Sequence, residues 1–584
     1  MSLEAQSQKA TDSLEQVKRY HQETKHDFNR YARSLGYLDW ANQPNPFRRY
    51  DGATLFRLPL LSLEEEPVSP SYEDLYRSPG LPPQPLTLKS LSRFFEYALS
   101  ITAWKEYGGN RWALRSNPSS GNLHPTEGYV FIGPTPDLPL DPGLYHYTPQ
   151  EHGLEQRLVC PAHQAQQLLS PFPPSTILVG LTSILWREAW KYGERAFRYC
   201  QHDIGHAIGT LRIAAATLGW HLIVLSGMDD QAIETLLGLS RLEDFNQAEM
   251  EFPELIAAVL TTHDASFSSL PLHLDHEAIE SCVQGTWQGK ANQLSRENPI
   301  PWEIIDEMTK ASWKSSTEKT DMPLNSSEAP LTPPLSPNGS EGEIPSLSAG
   351  QIIHQRRSAL AFDGKTSIHV ARFFTMLQRV MPRSDLPVTQ RPMPWDSIPW
   401  DPTIHLAMFV HRVDGIQPGL YMLLRDPAPL KKEAFQKAMH EQFLWTTPEG
   451  CPPDVPLYLL EDGNSQKIAT QVSCWQEIGG DSTFAIGMIA EFEASLDTHG
   501  PWFYRRLFWE AGLIGQVLYL EAEAAGVRAT GIGCFFDDPV HRVLGFFPHI
   551  QYQSLYHFTT GGPVEDQRLT TLPPYGNHET EGRS

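Results

Sequence analysis

Two hydrophobic periodicities alternate along this chain, one typical of helices and the other typical of strands. Between residues 194 and 219 the apolar side chains Ile204, Ile208 and Leu211 recur on one helical face, and Gly219 ends the pattern. The run WHLIVLS that follows is short and continuously apolar, as a buried strand is. From residue 505 the chain repeats this order, with RRLFWEAGLIGQVLYLEAEAAG running into VRATGIGCFF. The mixture of both element types predicts an α+β fold.

The second occurrence belongs to a longer internal repeat. A constant offset of 307 residues aligns the two long helical segments, so that Arg198 matches Arg505 and Gly205 matches Gly512. Soon afterwards Met-Asp-Asp at 228–230 falls beside Phe-Asp-Asp at 536–538, one residue out of phase. Because the matching blocks keep the same order, chance explains them poorly, and we predict two copies of one domain. Three shorter blocks precede the helices: LSRFFEYAL (91–99) with VARFFTMLQ (370–378), DPGLYHY (141–147) with QPGLYML (417–423), and STILVGL (175–181) with STFAIGM (482–488).

A change in composition marks the border between the two copies. Residues 316–350 are rich in Ser, Pro, Glu and Gly and poor in large apolar residues, a composition that cannot bury enough surface to offset the entropy of ordering. We therefore predict a linker there. The resulting division is an N-terminal helical and proline/aromatic-rich arm (1–84), a first domain (85–265), a helical extension with the linker (266–349), a second domain (350–570) and a tail (571–584).

Composition and charge narrow the class of protein. The formal net charge of −23 argues against a surface that binds nucleic acid or an anionic membrane. The sequence shows neither an apolar signal segment nor a run of the ~18 apolar residues that a membrane span requires. The six cysteines have no CxxC or zinc-type spacing, which favours reduced thiols and no metal site. These features predict a cytoplasmic protein with no nucleic-acid or membrane partner.

Four short motifs carry possible chemistry. NPSSGNLHP (117–125) has the composition of a surface turn. QRRSALAFDGK (355–365) offers two guanidiniums and a hydroxyl that suit a phosphate ester, although it could equally begin a surface helix. TGIGCFFDDPV (530–540) is a glycine-flanked strand end, where backbone could approach a flat ring or simply form a bulge. TTGGPVEDQRL (559–569) supplies two glycines and Arg568.

Together these motifs resemble the nitroreductase superfamily of FMN-dependent oxidoreductases. The string KYGERAFRYCQHDIGH at 191–206 is similar to the SagB-type branch, whose members include azoline oxidases. The resemblance implies an FMN site in which His124 replaces the usual glutamine of the serine loop. The implied cofactor-binding residues are Arg356, Arg357 and Ser358 for the phosphate, Pro118, Ser119, Ser120 and Asn122 in the serine loop, and Gly531, Ile532, Gly533 and Arg568.

The two copies depart from the family pattern in complementary ways. Copy one keeps the serine loop but has only DLYRSPG where the twin arginines belong. Copy two keeps the twin arginines but has RPMPWDSIPWDPT opposite the serine loop. Because the family's flavin lies between two subunits, the resemblance implies two tandem nitroreductase-like domains that form an intrachain pseudo-dimer. We expect a monomer with one intact FMN site and a lost second site.

The resemblance also implies an activity. We expect an FMN-dependent oxidoreductase that transfers hydride between the flavin and a small organic or peptide-derived substrate. Lys191 and Tyr192 match a proton-accepting pair of the azoline-oxidase branch, although a solvated helix start explains them equally, and His124 is expected to line the substrate face. Two alternatives remain open: a catalytically idle flavin-binding or scaffold protein, and a nitro or quinone reductase with NAD(P)H as co-substrate.

Some charged residues have a simpler structural explanation. Arg195 and Arg198 are expected to form structural ion pairs, and Asp537 with Asp538 is expected to cap a helix rather than to bind a metal. His206 lies on an apolar helix and is expected to be a hydrogen-bonded core residue.

Overall fold

The protein folds around two antiparallel sheets, each next to one long helix. A computed structural model describes residues 3–77, 80–262, 266–297, 299–324 and 347–576. Helices and strands are mixed throughout, as the sequence predicts. Among the described residues, no helix combines the length and the apolar character that crossing a membrane requires.

The first sheet has eight strands. Its inner strands are buried along their whole length because helices and loops cover both faces, which explains their continuous apolar runs. Thr126–Ile132 pairs antiparallel with a strand on each side, and Thr54–Arg57 joins the outer edge beside Thr286–Trp287. The spatial order from that edge is Thr286–Trp287, Gly153–Val159, Gly143–Thr148, Thr126–Ile132, Ile177–Ser183, Phe252–Leu260 and His221–Val224.

The second sheet repeats the order of the six strands that end the first. Ile404–Val410 takes the place of Thr126–Ile132, and Phe484–Ala490 takes the place of Ile177–Ser183. The predicted strands of both copies therefore occupy corresponding positions. The spatial order is Leu457–Asp462, Gly419–Leu423, Ile404–Val410, Phe484–Ala490, Gln553–Gly561 and Arg528–Ile532.

Two long helices of equal length, Ala196–Thr217 and Phe503–Ala524, pack against each other between the sheets. They cross where Gly205 meets Gly512, the pair that the repeat aligns. A Cβ on Gly205 would overlap the carbonyl oxygen of Trp509, and a Cβ on Gly512 would overlap that of His202. The sequence pattern predicts one buried face for the first helix. In the structure every residue of that helix except Ala216 is buried, because the helix also packs against the second copy.

Reciprocal ion pairs join the two copies on either side of this crossing. Arg198 donates to Asp537 at 2.8 Å, and Arg505 donates to Asp230 at 2.7 Å. Arg198 and Arg505 differ by 307 positions, and so do Asp230 and Asp537. The structure therefore aligns Asp230 with Asp537 at the same offset as the helices, without the shift of one residue that the sequence match suggested. The expected ion pair of Arg198 is thus present, and Asp537 stands in the first turn of the helix Asp537–Leu544 while Phe536 is its N-cap.

A further correspondence lies outside the predicted domains. The backbone of His26 exchanges two hydrogen bonds with Asp537, one to its carboxylate (2.8 Å) and one from its amide (3.0 Å). The backbone of Lys314 makes the same two bonds with Asp230, at 2.8 and 3.0 Å. Each of these residues follows a helix, Leu3–Glu23 in the arm and Glu303–Ala311 in the extension. The two helices thus precede residues that make equivalent contacts with Asp537 and Asp230, a similarity that sequence matching misses.

The predicted linker and tail are partly ordered where the structure describes them. Asp321–Pro323 pairs with Ser269–Pro271, and Ser348 caps the helix Ala349–Gln355 in a capping box with Gln351. Residues 325–346 lie outside the described residues. Thr570–Leu572 adds a strand to the hairpin Ile101–Tyr107 and Asn110–Arg115, so the end of the second copy lies on the first.

Shorter elements complete the fold. Two small sheets pair Tyr50–Asp51 with Lys290–Ala291 and Ile368–His369 with Val413–Asp414. The remaining α-helices are Leu88–Ala98, Ala162–Leu169, Leu185–Tyr192, Asp230–Leu237, Leu242–Phe245, His276–Val283, Val370–Arg379, Pro429–Ala438, Gln466–Val472, Ile478–Asp481 and Phe492–His499.

Candidate functional site

The twin arginines of the second copy lie on the first copy. Arg356 follows the last turn of the helix Ala349–Gln355, and its Nη2 donates to the carbonyl oxygen of Arg115 at 2.9 Å. Arg357 reaches the Oγ1 of Thr102 through its Nη1 at 3.2 Å. Thr102 and Arg115 belong to the two strands of the hairpin that leads into the serine loop. The structure thus brings together the two motifs that the sequence places in different copies.

The positive charge of this arginine pair is not balanced by an ion pair. Arg356 is only 4% exposed, its Nε has no hydrogen-bond partner, and among the described residues no carboxylate forms a salt bridge with either guanidinium. Burial lowers the pKa of both, that of Arg357 to about 10 with a contribution from Arg356. Glu523 opposes part of this shift, and its carboxylate accepts from the backbone N–H of Arg357 at 3.1 Å. Guanidiniums without a salt-bridge partner favour an anion, and their planar donors suit a phosphate group.

Tyr519 connects the other two cofactor-binding segments of the second copy. Its hydroxyl hydrogen-bonds the Oγ of Ser358 at 2.8 Å and accepts from the backbone N–H of Gly531 at 3.0 Å. Its ring also faces the guanidinium of Arg356 at 5.1 Å. Sequence reasoning missed this residue.

The serine loop is a tight turn held by a buried carboxylate. Asp203, on the long helix of the first copy, accepts hydrogen bonds from the backbone N–H and the hydroxyl of Ser120, at 3.0 and 3.1 Å. Gly121 and Asn122 adopt left-handed backbone angles, φ 59° and 60°, which glycine and asparagine tolerate best. Pro118 is buried, whereas Ser119, Ser120 and Asn122 are half-buried and Gly121 is exposed, so the turn faces solvent.

His124 lies behind this turn rather than on its open face. It is 2% exposed; its Nε2 contacts the Oδ1 of Asn122 at 3.1 Å, and its backbone N–H donates to the Oγ of Ser119 at 2.8 Å. Burial and the nearby guanidinium of Arg115 hold its pKa well below the ordinary value, so the imidazole is neutral. In this structure His124 is placed to orient Asn122.

Lys191 and Tyr192 stand directly against the serine loop. A Cβ placed on Gly121 would lie 2.6 Å from the hydroxyl of Tyr192 and 3.1 Å from the Nζ of Lys191. Burial, together with the charge of Glu188, raises the pKa of Tyr192 well above its ordinary value. The phenol therefore stays protonated at neutral pH and is a hydrogen-bond donor rather than a proton acceptor.

Two buried carboxyl groups beside this pair were not predicted from the sequence. Burial raises the pKa of Asp203 to about 7, although its hydrogen bonds with Ser119 and Ser120 oppose the shift. Glu188 is fully buried, neither of its carboxylate oxygens has a hydrogen-bond partner, and burial raises its pKa well above the ordinary value. The signal available in the sequence was an acidic residue within a segment whose apolar residues predict a buried helix. A carboxyl group that titrates near pH 7 can exchange protons at neutral pH.

Tyrosine side chains cover the glycine-flanked strand end. A Cβ on Gly531 would overlap the hydroxyl of Tyr556, and one on Gly533 would overlap the ring of Tyr199. Ile532 between them is buried. Tyr199 in turn packs against Tyr192, with ring centroids 4.5 Å apart. These aromatic contacts connect the strand end to the Lys191 side of the serine loop.

Arg568 is not part of this cluster. Its side chain is 71% exposed and pairs with Asp566 at 2.7 Å, two residues earlier in the chain, while its guanidinium lies over the ring of Tyr107. A cavity of about 330 Å³ also lies apart from the cluster, at the edge of the second sheet between Arg412, Pro418 and Asp462.

Comparisons with known proteins agree with the fold. Residues 81–248 match the model of the Nitroreductase family. A candidate nitroreductase of Methanocaldococcus jannaschii is 25% identical over 160 residues, which are 26% of this chain and 75% of that protein. The crystal structure of a candidate nitroreductase from Anabaena variabilis covers 94% of this chain and 99% of its own, with 21% sequence identity and a TM-score of 0.63. The last similarity extends the nitroreductase-like fold to both copies.

Proposed function

We propose that this protein is an FMN-dependent oxidoreductase with a single flavin site built from both copies. The observation that carries the proposal is the arginine pair: Arg356 (buried) and Arg357 (half-buried) of copy two form no salt bridge through their guanidiniums, and both contact the hairpin that leads into the serine loop of copy one. A phosphate dianion there would balance their charge. The proposed substrate is a small organic or peptide-derived molecule, and the proposed branch is the SagB type that the motifs resemble.

We further propose that the two copies form a pseudo-dimer. In a two-fold dimer, residue i of one subunit contacts residue j of the other and the reverse contact also occurs. The pairs Arg198–Asp537 and Arg505–Asp230 have this relation, and Gly205 meets its own counterpart Gly512. The equal strand order of the two sheets supports the same relation.

The site that pseudo-symmetry would place at the opposite end is closed in this proposal. Ser226 corresponds to Gly533, and its carbonyl oxygen accepts from Lys314 at 2.8 Å and from Arg506 at 2.6 Å. The backbone of Glu318 lies close to the next residue, Gly227. A Cβ at Gly227 would overlap the carbonyl oxygen of Glu318. Side chains and backbone of the helical extension thus fill the space where a second cofactor would lie.

Bound FMN would supply two-electron hydride chemistry, while the protein supplies position and proton transfer. Arg356 and Arg357 would hold the phosphate, and the half-buried serine loop would meet the ribityl chain and ring. Among the groups around the loop, Asp203 has a pKa suited to proton exchange near pH 7. Tyr192 is placed to donate a hydrogen bond from the open face of the loop. Lys191 adds a positive charge 3.1 Å from the position of a Cβ on Gly121.

One observation favours a second candidate function, a scaffold protein of this fold that binds no flavin. The hydroxyl of Tyr556 and the ring of Tyr199 cover Gly531 and Gly533, and the hydroxyl groups of Ser119 and Ser358 already bond within the protein. A flavin ring would have to displace such contacts. Flavin uptake therefore separates the two candidates.

The test is the flavin content of the purified protein and of variants in each half of the site. We expect one FMN per chain, measured by absorbance after reconstitution and dialysis. The double variants Ser119→Ala with Asn122→Ala, and Arg356→Ala with Arg357→Ala, should each lose FMN because each removes one half of the site. The matched control Arg568→Ala should keep it, since Arg568 pairs with Asp566 on the surface.

Three outcomes would contradict the proposal. Protein that takes up no FMN would favour the second candidate function, and close to two FMN per chain would exclude a single site. Loss of FMN in only one of the two double variants would exclude a site shared by the copies. Bleaching of bound flavin by NAD(P)H would assign the reductase alternative, whereas bleaching by an organic substrate alone would assign a dehydrogenase.

A further inference from the structure

Two cysteines far apart in the sequence meet at the surface next to the glycine-flanked strand end. The Sγ atoms of Cys474 and Cys534 lie 2.8 Å apart, and the Nδ1 of His26 lies 3.6 Å from the Sγ of Cys534. Both cysteines are half-buried, so small molecules in solvent can approach them. Sixty residues divide the two cysteines in the sequence, and no CxxC spacing indicates that they meet.

The backbones that carry the two cysteines are held together on both sides. Phe536 donates its N–H to the carbonyl oxygen of Val472 at 2.8 Å, and the Nε2 of Gln476 donates to the carbonyl oxygen of Cys534 at 3.0 Å. Two hydrogen bonds, one on each side of the cysteine pair, therefore hold the two backbone segments together and keep the sulfur atoms close.

The backbone at Cys474 is also unusual. Cys474 and Trp475 have φ angles of 54° and 60°, so two successive residues other than glycine adopt the left-handed region. Such angles are costly and occur most often at functional sites. Trp475 is 57% exposed and packs against Phe28, with ring centroids 5.7 Å apart. The strained turn thus presents one sulfur atom beside an exposed aromatic pair.

The electrostatics distinguish the two thiols. The hydrogen bond from Cys474, with His26 and Arg195 nearby, lowers the pKa of Cys534 to about 5 and raises that of Cys474. A lowered pKa favours the thiolate form of Cys534, and thiolates are the nucleophiles of disulfide exchange. The protonated Cys474 has the position of a resolving thiol.

We propose that Cys474 and Cys534 form a redox-active pair that exchanges two electrons with a low-molecular-weight thiol–disulfide couple. The Cys534 thiolate attacks a small disulfide RSSR, which gives a mixed disulfide and releases RS⁻. Cys474 then attacks the Cys534 sulfur of this mixed disulfide, the protein disulfide closes, and the second RS⁻ leaves with the proton of Cys474. The protein dithiol is oxidised and RSSR is reduced to two thiols. This inference does not depend on the proposed function.

The chain contains a matched control pair. Cys160 and Cys282 also lie side by side and hydrogen-bond each other, but they are 2% and 0% exposed. If contact between sulfur atoms were sufficient, both pairs would oxidise. If accessibility and the low pKa of Cys534 decide, only the pair Cys474–Cys534 oxidises.

The experiment equilibrates the full chain in buffers of reduced and oxidised glutathione, then quenches with acid, alkylates under denaturing conditions and maps the peptides by mass spectrometry. We expect one disulfide, which joins the peptides of Cys474 and Cys534, while the other four cysteines are alkylated. Cys534→Ser should abolish the disulfide completely. Cys474→Ser should instead accumulate glutathione on Cys534, because the resolving thiol is missing.

Three results would overturn the proposal. All six cysteines could remain alkylated at every glutathione ratio. The pair Cys160–Cys282 could oxidise at the same ratio as Cys474–Cys534. Alternatively, Zn²⁺ added to the reduced protein could bind one ion per chain and protect both cysteines, with binding lost in Cys534→Ser. That last result would assign a metal site with His26 as third ligand instead of a redox pair.

Discussion

At the scale of single residues, burial decides the chemistry that each side chain can perform. Tyr192 and Asp203 lie close to the same loop, yet burial affects them differently. It keeps the phenol of Tyr192 protonated at neutral pH, and it raises the pKa of the Asp203 carboxyl group to about 7. Burial lowers the pKa of His124 and thus keeps its imidazole neutral where it contacts Asn122. The residue type alone does not reveal these differences, because they arise from desolvation.

The raised pKa of Asp203 predicts a pH-dependent stability. The folded state holds the proton up to about pH 7, whereas an unfolded aspartate loses it near pH 4. The contribution of Asp203 to the free energy of unfolding of the protein is therefore largest below pH 4 and falls as the pH rises to 7. We expect the free energy of unfolding of Asp203→Asn, measured relative to that of the wild type, to rise by up to about 4 kcal/mol between pH 4 and pH 8. Urea unfolding across this range measures the difference; a constant difference would show that Asp203 is not protonated in the folded state.

At the scale of elements, the crossing of the two long helices sets the distance between the copies. Close approach requires that neither Gly205 nor Gly512 carries a side chain, because a Cβ would overlap a carbonyl oxygen of the facing helix. The crossing in turn places His206 of one helix beside Tyr519 of the other, with ring centroids 5.7 Å apart. The candidate site is thus a consequence of how the two helices meet.

Gly205→Ala and Gly512→Ala test this close approach. In an isolated helix, alanine is more favourable than glycine by about 1 kcal/mol. At the crossing we expect the opposite sign, a loss of roughly 1–3 kcal/mol in the free energy of unfolding, because the helices must move apart. Chemical denaturation measures the change, and Ala216→Ser on the same helix, where the side chain is not buried, should change it by less than about 0.5 kcal/mol. Stabilisation by either glycine variant would contradict the packing.

At the scale of the whole molecule, the proposed pseudo-dimer would place both partners of its interface in one chain. The reciprocal pairs Arg198–Asp537 and Arg505–Asp230, and the two helices that precede His26 and Lys314, bind the copies to each other. The C-terminal strand Thr570–Leu572 adds a further connection. Divergence then becomes possible, because one copy can lose a motif that the other retains.

A protein that already contains this interface has no need of a second chain. We expect light scattering coupled to size-exclusion chromatography to give a mass near 65.8 kDa, the mass of one chain. Arg505→Ala with Arg198→Ala should lower stability without changing this mass, since the copies remain covalently linked. A mass near twice that of one chain in the wild type would contradict the pseudo-dimer as the complete assembly.

The sequence by itself determined the element types, the order of the repeat and the motifs of the two halves. Those features are local or periodic: apolar periodicity specifies helices and strands, and a constant offset reveals the repeat. The match of Gly205 with Gly512 was already visible as an alignment, although its meaning as a contact was not. The α+β fold and the nitroreductase resemblance were predictable for the same reason.

Only the tertiary structure decided which distant residues meet and which groups are buried. Arg356 reaches the strand before the serine loop, Cys474 meets Cys534, and Asp203 lies beneath Ser120, although no spacing in the chain indicates these contacts. Conversely, Arg568 was grouped with the phosphate motif by resemblance but pairs with its neighbour on the surface. Side-chain proximity and desolvation depend on how the two copies pack, and that packing is a property of the folded chain rather than of any segment.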